Sequence, residues 1–158
     1  MKTILIIILT SVVTSGFTQD YYFSPKYSTT LDESKGELLL SQCSRWTPED
    51  ISGYWTPAQN DVHEIEQIFK KVLGLRTTNG QTIASLDKFA FQYVGVTIKR
   101  KRFIYINAFH LDNDAEFVTF YKNWKTEPVV MCDGGDFYWG VLFSVDKSKF
   151  KDLAINGV

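Results

Sequence analysis

The sequence predicts an α+β domain: one main N-terminal helix packed on a curved antiparallel sheet of about five strands, with a second, shorter helix between strands. Two observations predict it. Val62, Ile65, Phe69, Val72 and Leu73 recur at intervals of three and four, the spacing that gathers side chains on one helical face. From Phe89 onward the period changes to two, in runs rich in aromatic and β-branched residues joined by short polar links. Short links between successive strands favour antiparallel pairing.

Residues 1–18 read as a secretory signal. Lys2 precedes the apolar run Ile4 to Leu9, which continues into Val12 and Val13, and the small residues Ser15 and Gly16 follow. That run is too short to span a bilayer comfortably. Cleavage after Thr18 makes Gln19 the mature N-terminus, with cleavage after Gly16 as the alternative. No later stretch is apolar enough for a membrane helix, so the mature chain is expected to be soluble and exported, periplasmic or extracellular. Residues 19–44 form an N-terminal arm, polar and aromatic without a regular period, expected to be extended or poorly ordered up to a short strand or helical turn over Glu37–Cys43. Residues 45–158 form the single α+β domain.

Two similar pieces open that domain, RWTPEDI from Arg45 and YWTPAQNDV from Tyr54. In each, a threonine suits a helix N-cap and the proline suits the first helical position, where its missing N–H is no loss. The second piece has capping-box spacing, Thr56 to Gln59, and predicts a helix over Pro57–Leu73, stopped by Gly74. Trp46 and Trp55, each just before a helix start, are expected to pack on the core. A β-hairpin follows, Phe89–Lys99 and Phe103–Phe109, with the charged tip Lys99-Arg100-Lys101-Arg102. Asn113 and Glu116 are placed to cap a second helix carrying Phe117, Phe120, Tyr121 and Trp124 on one face. Strands are then expected over Val129–Cys132, Phe137–Val145 and Phe150–Ile155.

With the signal removed, about 140 residues remain, enough for one domain with a real core, carrying 16 basic and 18 acidic residues. Such a balance gives no general attraction to nucleic acid or anionic membrane. The two cysteines, Cys43 and Cys132, are expected to form one disulfide in an oxidising compartment.

The stretch CDGGDFYWG, Cys132 to Gly140, reads as a tight turn between strands. Its glycines tolerate positive φ and its acids suit turn flanks. Too few oxygen ligands are present for a calcium loop, and a phosphate cradle would need a lysine and a following helix. Tyr138 and Trp139 should point to opposite faces of the next strand. A hydrolase would use Cys132 as nucleophile with His110 as base and Asn107 as orienter. His63 lacks a second histidine four residues on, and His110-Leu111-Asp112 is too little for a metal site; both are expected at the surface. The acids Asp112, Asp114, Glu116, Asp133 and Asp136 have ordinary roles at helix starts and turns, so carboxylate-pair glycoside chemistry is not expected. No cofactor or metal is implied.

From Tyr54 onward the chain resembles a group of small exported bacterial proteins of unassigned activity. The resemblance rests on YWTPAQNDVHEIE, YVGVTIKRKRFIYINAF, VVMCDGGDFYWGVLF and the closing LAING. It implies a bacterial secreted or periplasmic origin and supplies no functional residues. The nearest shapes by analogy are cystatin-like or NTF2-like folds, and shape carries no function. The sequence therefore points to a non-enzymatic binding protein whose partner is a protein or an anionic macromolecule. Contact is expected through the sheet face or the tip, with Lys99, Arg100, Lys101, Arg102 and Trp139 as candidate residues. The alternatives are the hydrolase and a small-ligand carrier with a pocket between helix and sheet.

Overall fold

The computed structural model describes residues 20–111 and 121–157. The signal, residues 1–18, and the cap and first turn of the expected second helix lie outside the described residues, as do Asp112, Asp114 and Glu116. The domain is α+β, as the sequence predicts. Its elements are β1 (Ser28–Thr30), α1 (Gly36–Leu40), β2 (Ile51–Trp55), α2 (Gln59–Ile68), β3 (Phe89–Ile98), β4 (Lys101–His110), β5 (Tyr138–Ser144) and β6 (Lys149–Ile155). The open sheet has six strands in the order β1-β3-β4-β5-β6, and β2 also pairs with β3.

The sheet is mixed rather than wholly antiparallel. β1 runs parallel to β3 along Phe91–Tyr93, and β2 runs antiparallel to it along Gly95–Ile98, so the two short strands share one edge. The N-terminal arm is therefore ordered into the sheet, with Leu31, Leu39 and Leu40 buried. It also reaches α2: Lys70 donates its N–H to Tyr21 O (3.1 Å), and Glu66 O accepts from Phe23 N (2.9 Å). A backbone that diverts these groups breaks the i to i−4 ladder. The expected helix accordingly ends at Ile68 and continues as a 3₁₀ turn over Phe69–Gly74, in which Phe69 and Val72, three apart, share a face. Thr56 does not cap it. Its hydroxyl accepts from Glu33 N (3.0 Å), while Asp61 reaches back to the N–H of Ala58 (2.8 Å). The first WTP piece forms no helix; only two residues separate Pro48 from β2, too few for a helical turn to propagate.

Both sheet faces are covered. On one face Phe91, Tyr93, Ile104, Ile106, Trp139, Val141, Phe143 and Phe150 meet Ile65, Phe69 and Val72. On the other, Val94, Val96, Phe103, Tyr105 and Leu142 meet Leu31, Leu39 and Leu40, with a further cluster of Ala90, Phe109, Trp124 and Val129. That second cover is made of the arm and residues 121–133. Cys43 and Cys132 bond the two parts of it together, with Cα atoms 4.8 Å apart, and Lys35 pairs with Glu127 at 2.9 Å.

Val129–Cys132 is not a strand, because side-chain amides replace a ladder for it. Val129 N donates to Gln92 Oε1 (2.8 Å), and Val129 O accepts from Asn107 Nδ2 (2.9 Å) and Gln42 Nε2 (3.1 Å). Asn156 Nδ2 donates to Met131 O and Asp133 O. Tyr121–Thr126 forms turns.

Candidate functional site

With most of both sheet faces covered by other segments, the strands among the described residues reach the surface chiefly at the hairpin ends and sheet edges. The β3–β4 hairpin pairs Ile98 with Lys101, leaving a two-residue turn in which Lys99 (φ 50°) and Arg100 (φ 63°) are both left-handed. This is the φ pattern of the type I′ turn that fits strand twist, built without glycine or asparagine. The structure divides the four basic residues of the tip. Lys99 lies 3.5 Å from Asp50. Arg102 stacks over Trp55 at 3.7 Å from its centroid and lies 3.8 Å from Asp61, so it ties the hairpin to β2 and α2. Arg100 and Lys101 are exposed and have no acidic partner within ion-pair distance among the described residues.

The β5–β6 hairpin ends beside this tip. In register, Phe103 faces Ser144, which faces Lys149. Lys101 and Lys151 lie two residues from Phe103 and Lys149 along their strands, and side chains two apart share a face. Lys101, Lys147, Lys149 and Lys151 thus surround a cleft of about 340 Å³ whose floor is Phe103 and Ser144, with Asp146 as the one acid lining it. Lys151 Nζ sits 5.3 Å from the Phe103 ring centroid and 2.6 Å from Asp152. Adjacent strands are about 4.8 Å apart and residues i, i+2 about 7 Å apart, so these cations form a compact two-dimensional array. Within a chain of net charge −1, it is a local concentration of positive potential, which focuses anions.

The remaining sequence candidates are placed as follows. Trp139 is fully buried between Phe89 and Phe91, with ring centroids at 5.5 and 5.8 Å. It is a core residue and offers a partner nothing; Tyr138 lies on the opposite face, its hydroxyl 2.6 Å from that of Tyr121. Cys132 carries no thiol, being bonded to Cys43. Asn107 is committed to Gln92, Val129 and Arg45. His110 stacks on Phe137 (4.6 Å) and meets Phe89 edge-on (5.4 Å), so it is half-buried, whereas His63 is exposed beside Gln67. The hydrolase trio therefore has neither a nucleophile nor a spare orienter. Asp133 and Asp136 are exposed in a turn where Gly134 (φ 88°) and Gly135 (φ 56°) are left-handed. No three His, Cys, Asp or Glu side chains converge among the described residues. Between α2 and the sheet Phe69 stacks on Phe150 (5.7 Å) and meets Phe91 (5.0 Å), which fills the volume a carrier would need. No helix among the described residues is long and apolar enough to cross a membrane.

A buried polar cluster was missed from sequence. Arg45, 8% exposed, donates to Tyr105 OH (3.1 Å), Asn156 Oδ1 (2.8 Å) and Asn107 Oδ1 (2.5 Å). Gly140 makes room for it, since a Cβ there would strike the Tyr105 hydroxyl. Burial raises the Tyr105 pKa above its ordinary value, and the Arg45 charge offsets part of that rise. The lysines of the second hairpin were also missed; the signal for them was the alternation Lys147-x-Lys149-x-Lys151. No known protein family matches the chain, and neither curated proteins nor solved structures include a match to it.

Proposed function

We propose that the protein is an exported, non-enzymatic binding module that holds an anionic macromolecule at the lysine corner formed by the two hairpin ends. The observation that carries this reading is the convergence of Lys101, Lys147, Lys149 and Lys151 around Phe103, on a molecule whose two sheet faces are closed. Long-stemmed lysines give such a site charge without fixed bidentate geometry, so it favours density of negative charge over one ligand shape. Export is supported by the signal-like segment 1–18 and by the disulfide, which persists in oxidising compartments. The mature chain is expected to begin at Gln19, which intact mass of the secreted protein checks.

The test of binding is retention on immobilised poly-L-glutamate. The mature protein should be retained at low salt and released as salt screens exposed charges over a Debye length of about 8–10 Å. The double variant Lys147→Glu/Lys149→Glu should be released at markedly lower salt, and Lys122→Glu, far from the corner, should behave as the parent protein. Equal release of all three contradicts the reading.

A further inference from the structure

We infer that the anionic partner is an extended acidic polypeptide, which adds as a further strand to the outer edge of β6. This rests on the lysine-corner reading and names its ligand. β6 ends the sheet. Asn156 donates its N–H to Tyr138 O at 2.9 Å, which fixes the alternation: Ile155, one residue earlier and opposite Trp139, turns its N–H and C=O away from β5. The register then jumps between Gly140 and Leu142, so Asp152 and Leu153 share one partner as a bulge, with Asp152 at φ 55°, and they too leave backbone groups outside the ladder.

Immediately past the strand the chain meets another segment of its own backbone. Gly157, just past the end of β6, donates its N–H to Ser44 O at 3.0 Å, while its C=O accepts from Gly135 N at 3.0 Å. Among the described residues, Asp152 to Ile155 make no backbone hydrogen bond to another segment on this side. Asp152 to Ile155 line a cleft of about 420 Å³, with Trp46, 46% exposed, on one side and the Thr77–Gln81 loop on the other. That loop is a preformed wall, closed by Thr77 N to Gln81 O (2.9 Å) and Gly80 N to Thr77 O (3.0 Å). Towards its other end the same strand carries Lys149 and Lys151, which face the lysine corner.

A polypeptide is the class that fits both features. Its own main chain supplies donors and acceptors at strand spacing, and acidic side chains at every second position would lie over Lys149 and Lys151. A second copy of this chain fits worse, because its β6 edge presents Lys149 and Lys151 rather than acids at alternate positions, and edge lysines are a device that keeps edges from self-association.

The probe is a fluorescein-labelled decapeptide of alternating Glu and Val, added to the mature protein. Two further versions carry N-methyl groups on either set of alternate amides, and a fourth replaces Glu by Lys. The acidic peptide should bind and slow hydrogen exchange at the Ile155 amide. One N-methylated version should lose at least tenfold in affinity while the other retains it, and the Lys peptide should not bind. Lys149→Glu, at a residue with no ion pair among the described residues, should weaken the acidic peptide at an unchanged thermal midpoint. Equal binding of both N-methylated peptides with no protection at Ile155 overturns strand addition but leaves the lysine corner standing. Failure to bind both the peptide and poly-L-glutamate overturns both. Protection of Ile155 by self-association, without peptide, assigns the edge to a second copy and overturns the inference.

Discussion

Arg45 is a buried cation held by three neutral oxygens, on Tyr105, Asn107 and Asn156. Removing it leaves those acceptors without their charged donor in a low-dielectric interior, where an orphaned polar group is costly. Arg45→Ala should lower stability by about 3 kcal/mol in urea unfolding, and Arg45→Lys should recover less than half, because an ammonium cannot span the fork of three acceptors. Gly140→Ala should act on the same cluster by pushing the Tyr105 hydroxyl aside. None of this was legible in the sequence. An arginine before Trp-Thr-Pro reads as a solvated flank, and only the fold brings residues 45, 105, 107 and 156 together. Trp139 failed differently: its place on the opposite face from Tyr138 was readable by period two, but which face was core, and that both were, depended on a cover formed by distant segments.

Elements follow the sequence where local pattern decides and depart from it where distant backbone competes. The apolar stripe of α2, both long hairpins and the glycine turn at Gly134-Gly135 were legible because helical spacing, alternation and turn chemistry are local. The helix end was not, because residues 21–23 of the arm take the hydrogen bonds of Lys70 and Glu66. Phe23 anchors that insertion against Phe69 (5.9 Å) and Phe91 (6.4 Å). Phe23→Ala should therefore cost about 2 kcal/mol, part of a full aromatic truncation since the ring is only half-buried, and should speed amide exchange at Lys70. Segment 128–133 reads as a strand from Val129-Val130-Met131, yet four amide side chains from other elements satisfy it. The staple over this region joins exposed cysteines that close a loop with a sequence separation of 89. Cys43→Ala/Cys132→Ala should lower stability by about 4 kcal/mol on the chain-entropy account, with little packing loss, and differential scanning calorimetry checks it.

At the scale of the molecule, burial gives a pH dependence. Desolvation raises the pKa of Tyr93, with a smaller contribution from the Glu66 charge, and desolvation likewise raises that of Tyr105. A folded pKa raised above the unfolded value contributes stability that is fully present below about pH 10, the unfolded tyrosine value, and is lost as pH climbs beyond it. Unfolding free energies from urea titration should show no loss from these tyrosines between pH 7 and 9, then fall above pH 10 by up to about 1.4 kcal/mol per pH unit for each. The proposed function belongs to the same scale: positive charge gathers where two hairpins finish side by side, and that is the surface proposed to hold a partner. Half of that site, the tip at Lys99 to Arg102, was visible as a charge run. The other half needed the register that sets Lys149 two strands from Phe103, and Arg102 left the site once Trp55 and Asp61 claimed it.

The most direct measurement is backbone amide chemical-shift mapping of the mature protein with poly-L-glutamate. Shifts should cluster at residues 99–103 and 144–155 and vanish at high salt. Shifts centred on α2 or on the cover around Cys43 and Cys132, or none at low salt, would contradict the lysine corner as the binding surface.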